Sequence, residues 1–330
     1  MKAILSRLFE HERLSREEAK NVLMGIARAE YNPIQVASFL TVYQMRAIAL
    51  PELQGFREAL LELCIPFDVE GAETVDIVGT GGDGKQTFNI STLAAVVVAG
   101  AGHKVTKHGS YGVSALVGSS NVLEALGYRF TNDTDLLKRQ LDRANLCFLH
   151  APLFHPALKE VVPVRKQLGL KTFFNMLGPL VNPVQPRYQV LGTYSLELSR
   201  LYQYVMQEAG RRFAVVHTLD GNDEISLTDE VRIYANEGQS LVTPEEMGFR
   251  RLKQEELAGG KDSAEAAQIF HEVLNGVGPS ARIDVVVANA GMAIQCIKPA
   301  QSLLDSIAEA RESLVSGKAK AAFQQLLANQ

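Results

Sequence analysis

Residues 76–92 read DIVGTGGDGKQTFNIST, a gathering of residue types suited to the capture of a phosphate group. A β-branched apolar run at 75–78 leads into Gly79, Thr80, Gly81, Gly82, Asp83 and Gly84, and Ser91 and Thr92 open an apolar helical run to residue 101. Strand, nearly bare loop and helix start follow in that order. Glycines let peptide N–H groups approach an anion, and a helix N-terminus adds open donors and a favourable dipole. Thr87, Asn89, Ser91 and Thr92 bring short side-chain donors to the same place. A tight turn with an N-capping serine would explain one glycine pair. Four glycines in six residues, followed by four polar side chains, go beyond it. The loop has neither the Gly-Lys-Ser/Thr ending of a Walker A sequence nor the GxGxxG spacing with a distant acid, so neither ATPase nor dehydrogenase is the leading reading.

Three further groups carry charge. In residues 105–127, VTKHGSYGVSALVGSSNVLEALG, a strand ends at Lys107, a polar loop follows, and Ser119 and Ser120 begin an amphipathic helix with Val122, Leu123 and Leu126. Lysine and helix start both suit an anion. A solvated Lys107 and a structural, hydrogen-bonded His108 are the plainer alternatives. Asp220, Gly221, Asn222, Asp223 and Glu224 follow an expected strand at 213–217. Carboxylates repel phosphate, so a role beside it requires a cation, and Mg²⁺ bridges one or two carboxylates to substrate phosphates. An acidic turn after a strand explains an isolated pair equally well. Pro163, Val164 and Arg165 lie in a helical stretch where a guanidinium could hold a carboxylate bidentately, though helix arginines are more often at the surface. His155 and Pro156 begin a helix, while Gly178-Pro179 and Asn182-Pro183 break the stretch as pocket wall and hinge or as ordinary punctuation.

These residues need a scaffold. Residues 1–66 read as helices only, with a capping-box pattern from Ser15 to Glu18 and a second start at Asn32-Pro33. Val36, Phe39, Leu40, Tyr43 and Ala47 recur at helical spacing, an apolar stripe that must meet another domain or chain. From residue 75, strand-like runs at 104–106, 146–149, 188–194 and 213–217 alternate with helical stretches at 135–144 and 196–209. That alternation predicts an α/β domain with a mainly parallel sheet. Residues 284–297 suit a buried strand or a buried helix. Two helical runs close the chain around Ser316-Gly317.

Composition sets the bounds. With 330 residues, 46% of them hydrophobic, the chain can bury a large core in one big domain or two unequal ones. A formal net charge of −4 argues against general nucleic-acid binding. Cys64, Cys147 and Cys296 are scattered and form no metal spacing, which suits a reducing, cytoplasmic setting. The charged start MKAILSRLFEHERLS fails as a secretory core, and no apolar run suffices for a membrane span.

The glycine loop, together with KHG, GSSNVLEALG, HPALKEVVPVR, FNMLGPLVNP and DGNDEIS, closely resembles the anthranilate phosphoribosyltransferases, enzymes of tryptophan biosynthesis. The match runs in order from the N-terminal helices to about Ser226. It implies a small N-terminal all-helical domain at 1–72, with a returning segment at about 160–185, and a large α/β domain at 73–159 and 186–330. It also implies an active site in the interdomain cleft, a homodimer formed through the N-terminal helices, and a helix at 284–297. By resemblance, Gly79, Gly82, Asp83, Thr87, Asn89, Ser91, Thr92, Lys107 and Ser119 bind phosphoribosyl diphosphate. Gly79, His108, Ser110, His155, Arg165 and Gly178 would bind anthranilate, and Ser91, Asp223 and Glu224 would hold Mg²⁺, two ions per site. No side chain is required as an obligatory general base.

The chain departs from the family wording at the second loop. Ser110 stands where the family has an asparagine that touches the aromatic substrate, Ala115 where it has serine, and Asn121 where many members have aspartate. Thr228, Asp229 and Glu230 replace a small-residue turn. An altered acceptor or weak activity is therefore an alternative. A pyrimidine nucleoside phosphorylase or a nucleic-acid-binding relative stands further off.

Overall fold

The computed structural model describes residues 1–112 and 116–330. The chain opens with α1 (Lys2–Phe9), α2 (Arg16–Ala27), α3 (Pro33–Met45) and α4 (Leu50–Leu63). Ser15 caps α2 in a reciprocal pair with Glu18, and Asn32 does the same with Gln35 ahead of Pro33. Each pair satisfies N–H groups that a helix start leaves open. Next come β1 (Val75–Gly79), α5 (Ile90–Gly100), β2 (Val105–Gly109), α6 (Ser119–Ala125), α7 (Thr134–Ala144) and β3 (Leu146–His150). A helical excursion follows, comprising α8 (Ala151–Phe154), a 3-10 turn (Pro156–Glu160), α9 (Val162–Leu168) and α10 (Phe174–Leu177). The chain returns through β4 (Tyr188–Gly192), α11 (Leu196–Glu208), β5 (Arg212–Thr218), β6 (Val231–Ala235) and β7 (Gly238–Val242). It closes with α12 (Ser263–Leu274), α13 (Ser280–Ile297), α14 (Leu303–Val315) and α15 (Lys318–Ala328). Among the described residues no helix is long and apolar enough to cross a membrane.

Two compact units result, residues 1–67 with 151–183 and residues 68–150 with 184–330. The returning segment thus starts at Ala151, earlier than the expected 160, and residues 68–72 and 184–185 belong to the larger unit. Packing within the helical unit explains the early start. The Ile65 N–H donates to the Phe154 carbonyl at 2.8 Å. Phe173, from the returning segment, stacks on Phe56 at 4.5 Å between centroids and meets Tyr43 edge-on at 4.9 Å. Excursion and bundle share one aromatic core.

The larger unit holds a seven-stranded sheet in the order β3-β2-β1-β4-β5-β6-β7. The five strands from β3 to β5 are parallel, and β6 and β7 are antiparallel additions. This hairpin is absent from the sequence reading, although Val231–Ala235 and Gly238–Val242 flank a short Asn-Glu connection. β7 is exposed along most of its length, so its residues carry no apolar alternation. The ambiguous run at 284–297 is helical, as the resemblance implied. α13 is buried nearly all round because it packs against the sheet on one side and α5 and α14 on others. A helix covered on every side loses the 3.6-residue pattern that would have declared it.

Candidate active site

Strand order reverses between β1 and β4, and both parallel strands end in glycine, Gly79 opposite Gly192. Such a switch point leaves a crevice outside the carboxyl ends of the strands, where open α/β sheets bind ligands. Here the segment after β5 folds over it. A Cβ on Gly79 would stand 2.4 Å from Asp223 Oδ2, and one on Gly192 would stand 1.6 Å from the Asp223 carbonyl oxygen. The glycine pair therefore makes room for Asp223. Sequence reading credited Gly79 to the ligand alone and missed Gly192, because only the register sets the two side by side.

Asp223 and Glu224 are bound to opposite ends of the glycine loop. The Gly81 N–H donates to Asp223 Oδ2 at 2.6 Å, with the Thr80 hydroxyl at 3.4 Å. The Ser91 N–H, in the first turn of α5, donates to Glu224 Oε1 at 3.0 Å. One of the helix-start donors expected to face phosphate is thus engaged by a carboxylate. Gly81 and Gly82 both have positive φ, 64° and 81°, which a side-chain-bearing residue rarely adopts and which folds the loop back on itself. Asp83 lies within hydrogen-bond reach of Asp223. Burial and the Asp83 carboxylate push the Asp223 pKa up to about 7, and burial, Asp223 and Asp83 raise Glu224 well above its ordinary value. Among the described residues no three His, Cys, Asp or Glu side chains are arranged to hold a metal ion, so Asp83 adds negative charge beside Asp223 without completing a cage.

The donor set fits a hard cation. Asp83 raises the pKa of Asp223, Asp223 raises that of the half-buried Glu224, and each of the pair keeps lone pairs beyond its single amide partner. Such a pair suits a divalent ion held by oxygen ligands.

The remaining expected residues of this unit are positioned as follows. Lys107 is 2% exposed, and its Nζ donates to the Ile77 carbonyl at 2.6 Å. Burial lowers its pKa, while Asp76 and Glu224 oppose that shift. Its charge is buried beneath the loop, where an anion feels it with little screening. The His108 N–H donates to Asp76 Oδ1 at 3.2 Å. The Ser110 carbonyl accepts from the Ser120 N–H and the Ser119 hydroxyl, both at 3.2 Å. Asn121 Oδ1 accepts from the Gly112 and Gly118 N–H groups, each at 3.0 Å, and closes the loop. Asn89 Nδ2 donates to the Val117 carbonyl at 3.2 Å, joining the first loop to the second. Thr87 pairs with Ala258 in an isolated bridge, and Thr92 is buried. Ala115 lies outside the described residues.

His155, Arg165 and Gly178 belong to the helical unit. Asn175 Oδ1 accepts from Arg165 Nη2 at 3.1 Å and from the Thr172 N–H at 3.2 Å, and the guanidinium lies over the Phe174 ring at 5.5 Å. Burial lowers the Arg165 pKa, and its Nε has no hydrogen-bond partner. A half-buried guanidinium whose buried Nε has a donor to spare suits an anion. His155 is 2% exposed, and burial pushes its pKa down to about 4, so it is neutral near pH 7. Gly178 has open space where a Cβ would stand.

Residues 2–64 match the helical bundle domain of a glycosyl transferase family, and residues 71–320 match its α/β domain. The chain is 55% identical to an anthranilate phosphoribosyltransferase of Cytophaga hutchinsonii, covering 98% of this chain and 99% of that one. It is 54% identical to one from Bacteroides fragilis, covering 97% of both. The crystal structure of the Thermus thermophilus enzyme superposes with a TM-score of 0.91 at 35% identity over 98% of each chain. The Saccharomyces cerevisiae enzyme, solved in complex with PRPP and Mg, superposes at 0.90 with 27% identity, covering 98% of this chain and 96% of that one. Likeness on this scale, in sequence and in both domains, means that the chain belongs to the anthranilate phosphoribosyltransferase family.

Proposed function

We infer that this chain transfers the phosphoribosyl group of phosphoribosyl diphosphate to the amine of anthranilate, with release of diphosphate, and that it uses Mg²⁺. The observation that carries this reading is the adjacent pair of buried Asp223 and half-buried Glu224, tied through Gly81 and Ser91 to a glycine loop at the sheet's switch point. In this reading Asp223 and Glu224 hold Mg²⁺, with the Ser91 hydroxyl serving a second ion. When bound, Mg²⁺ offsets negative charge growing on the departing diphosphate. Gly79, Gly82, Asp83, Thr87, Asn89, Thr92 and Ser119 cradle the phosphoribosyl diphosphate, and Lys107 contributes positive charge from beneath. The N–C1 bond forms as the C1–O bond to diphosphate breaks, and the amine proton leaves to solvent. A neutral aryl amine is already nucleophilic, so the protein's work is positioning and electrostatic stabilisation. Arg165, steadied by Asn175, takes the anthranilate carboxylate, and Gly79, His108, Ser110, His155 and Gly178 contact the ring or its amine.

The test is consumption of fluorescent anthranilate by purified protein supplied with phosphoribosyl diphosphate and Mg²⁺. Turnover is expected, and Glu224→Gln should lower it about 100-fold, the scale of losing one preorganised charge partner. Absence of turnover in the wild type sinks the reading. Ser110 supports a second reading, an altered acceptor, because its carbonyl is engaged by α6 while its shorter side chain stands where the family has asparagine. Ser110→Asn should then raise anthranilate turnover, and an unchanged rate counts against it.

Phe9, Ile34 and Met45 on α1 and α3 are 62%, 78% and 82% exposed around one apolar groove, which supports a homodimer through these helices. The three free cysteines suit a cytoplasmic setting.

A further inference from the structure

We propose that Asn289 is a positioning residue for the Asp223–Glu224 pair, acting through the main chain of Ile225, an inference that rests on the function read above. Asn289 lies in the middle of α13, in the apolar run VVVANAGMAIQ, and is 3% exposed. Asparagine is a mediocre helix former, and a buried amide is costly unless its hydrogen bonds are made. Two of them are made to one residue. Nδ2 donates to the Ile225 carbonyl at 2.9 Å, and Oδ1 accepts from the Ile225 N–H at 3.1 Å. Nδ2 also donates to the Val285 carbonyl at 2.8 Å, one turn back, and since that carbonyl only accepts, the amide's orientation follows. The side chain thus acts as a peptide group, satisfying both main-chain groups of a residue that lies between β5 and β6 and belongs to neither.

A second buried side chain works beside it. The Thr218 hydroxyl, at the end of β5, donates to the Glu224 carbonyl at 2.7 Å and accepts from the Ser226 N–H at 3.4 Å. Residues 224, 225 and 226 are therefore held in succession, with the Ile225 side chain fully buried. The consequence falls on the carboxylates. Asp223 and Glu224 repel each other and lose hydration, so an unrestrained segment would swing them apart towards water. Held at Ile225, they stay 2.6 and 3.0 Å from the Gly81 and Ser91 amides. Core filling does not account for the asparagine, since leucine would fill an apolar helix at least as well. Leucine would, however, leave both polar groups of Ile225 without partners.

The experiment uses the full chain, Mn²⁺ as the spectroscopic probe and phosphoribosyl diphosphate without acceptor. Free Mn²⁺ is counted by electron paramagnetic resonance, with anthranilate KM and kcat measured separately. Asn289→Leu is expected to weaken Mn²⁺ binding about tenfold or more, the usual effect of removing an outer partner of metal ligands, and to lower kcat with anthranilate KM unchanged. Thr218→Val, nearly isosteric, should shift it in the same direction by about threefold. Gln140→Leu removes a buried side chain on α7 that accepts from the Tyr128 hydroxyl and should cost stability while leaving Mn²⁺ binding at the wild-type value. Mn²⁺ constants within twofold of wild type in both Asn289→Leu and Thr218→Val overturn the proposal. Should Asn289→Leu not fold, the Thr218→Val constant decides alone. Failure of the functional reading is visible separately, as a wild type that consumes no anthranilate.

Discussion

At the scale of single residues, the site stores electrostatic cost in its carboxylates. The Asp223 pKa rises from 3.8 to about 7 through burial and the neighbouring Asp83. Below the lower value both folded and unfolded chains bind the proton and the group contributes nothing. Between the two, the unfolded chain releases its proton while the folded chain keeps it, so stability falls as pH rises and levels off above about 7. We expect metal-free wild type and Asp223→Asn to differ little in urea midpoint at pH 4, with the variant gaining towards pH 7.5 by up to ~4 kcal/mol. A difference independent of pH would refute this. Adding Mg²⁺ with phosphoribosyl diphosphate should stabilise the wild type and leave the variant behind. Arg165 gives a second expectation. Lysine can neither fork onto a carboxylate nor reproduce the bond to Asn175, so Arg165→Lys should raise anthranilate KM about tenfold with the phosphoribosyl diphosphate KM unchanged. Steady-state titration of each substrate separates the two constants.

At the scale of elements, local chemistry was legible and non-local chemistry was not. Ser15 with Glu18 and Asn32 with Gln35 announce α2 and α3 because a capping box lies within four residues. The buried centre of the same bundle is silent in sequence. Glu52 is fully buried, and it accepts from Arg46, Tyr43, and the Leu14 and Ala49 amides. Burial alone would raise its pKa, but Arg46 and the amides hold it below the ordinary carboxylate value. Glu52→Leu should therefore strand the Arg46 charge and cost about 3–5 kcal/mol in urea unfolding. A loss under about 1 kcal/mol would mean that the ion pair counts for no more than an exposed one. At the sheet, the hairpin β6–β7 went unread because its outer strand faces water and lacks an apolar face.

At the scale of the whole molecule, the apolar stripe of the N-terminal helices is mostly used up within its own unit. Val36, Phe39, Leu40 and Tyr43 are buried inside the helical unit, so they serve its own core. Outside that stripe, Phe9, Ile34 and Met45 are the exposed apolar residues of α1 and α3 that could meet the proposed second copy. If they form the dimer contact, Ile34→Glu with Met45→Glu should yield a monomer in sedimentation velocity with its circular dichroism unchanged. A persisting dimer would move the interface elsewhere.

The glycine loop, the acidic pair and the alternation of strands and helices were determined by sequence alone, because each depends on residues close together in the chain. Resemblance extended this to the family and its chemistry. The tertiary structure decided which groups meet. Gly192 became as necessary as Gly79 only through the β1–β4 register, and the Ser91 amide turned out to serve Glu224. Asn289, an unremarked polar residue in an apolar run, acquired a purpose only when Ile225 came beside it, sixty-four positions away. Capping, turn chemistry and periodicity are short-range and leave their mark in neighbouring letters. Register, close approach and burial arise from contacts between distant segments, and no single stretch of the chain encodes them.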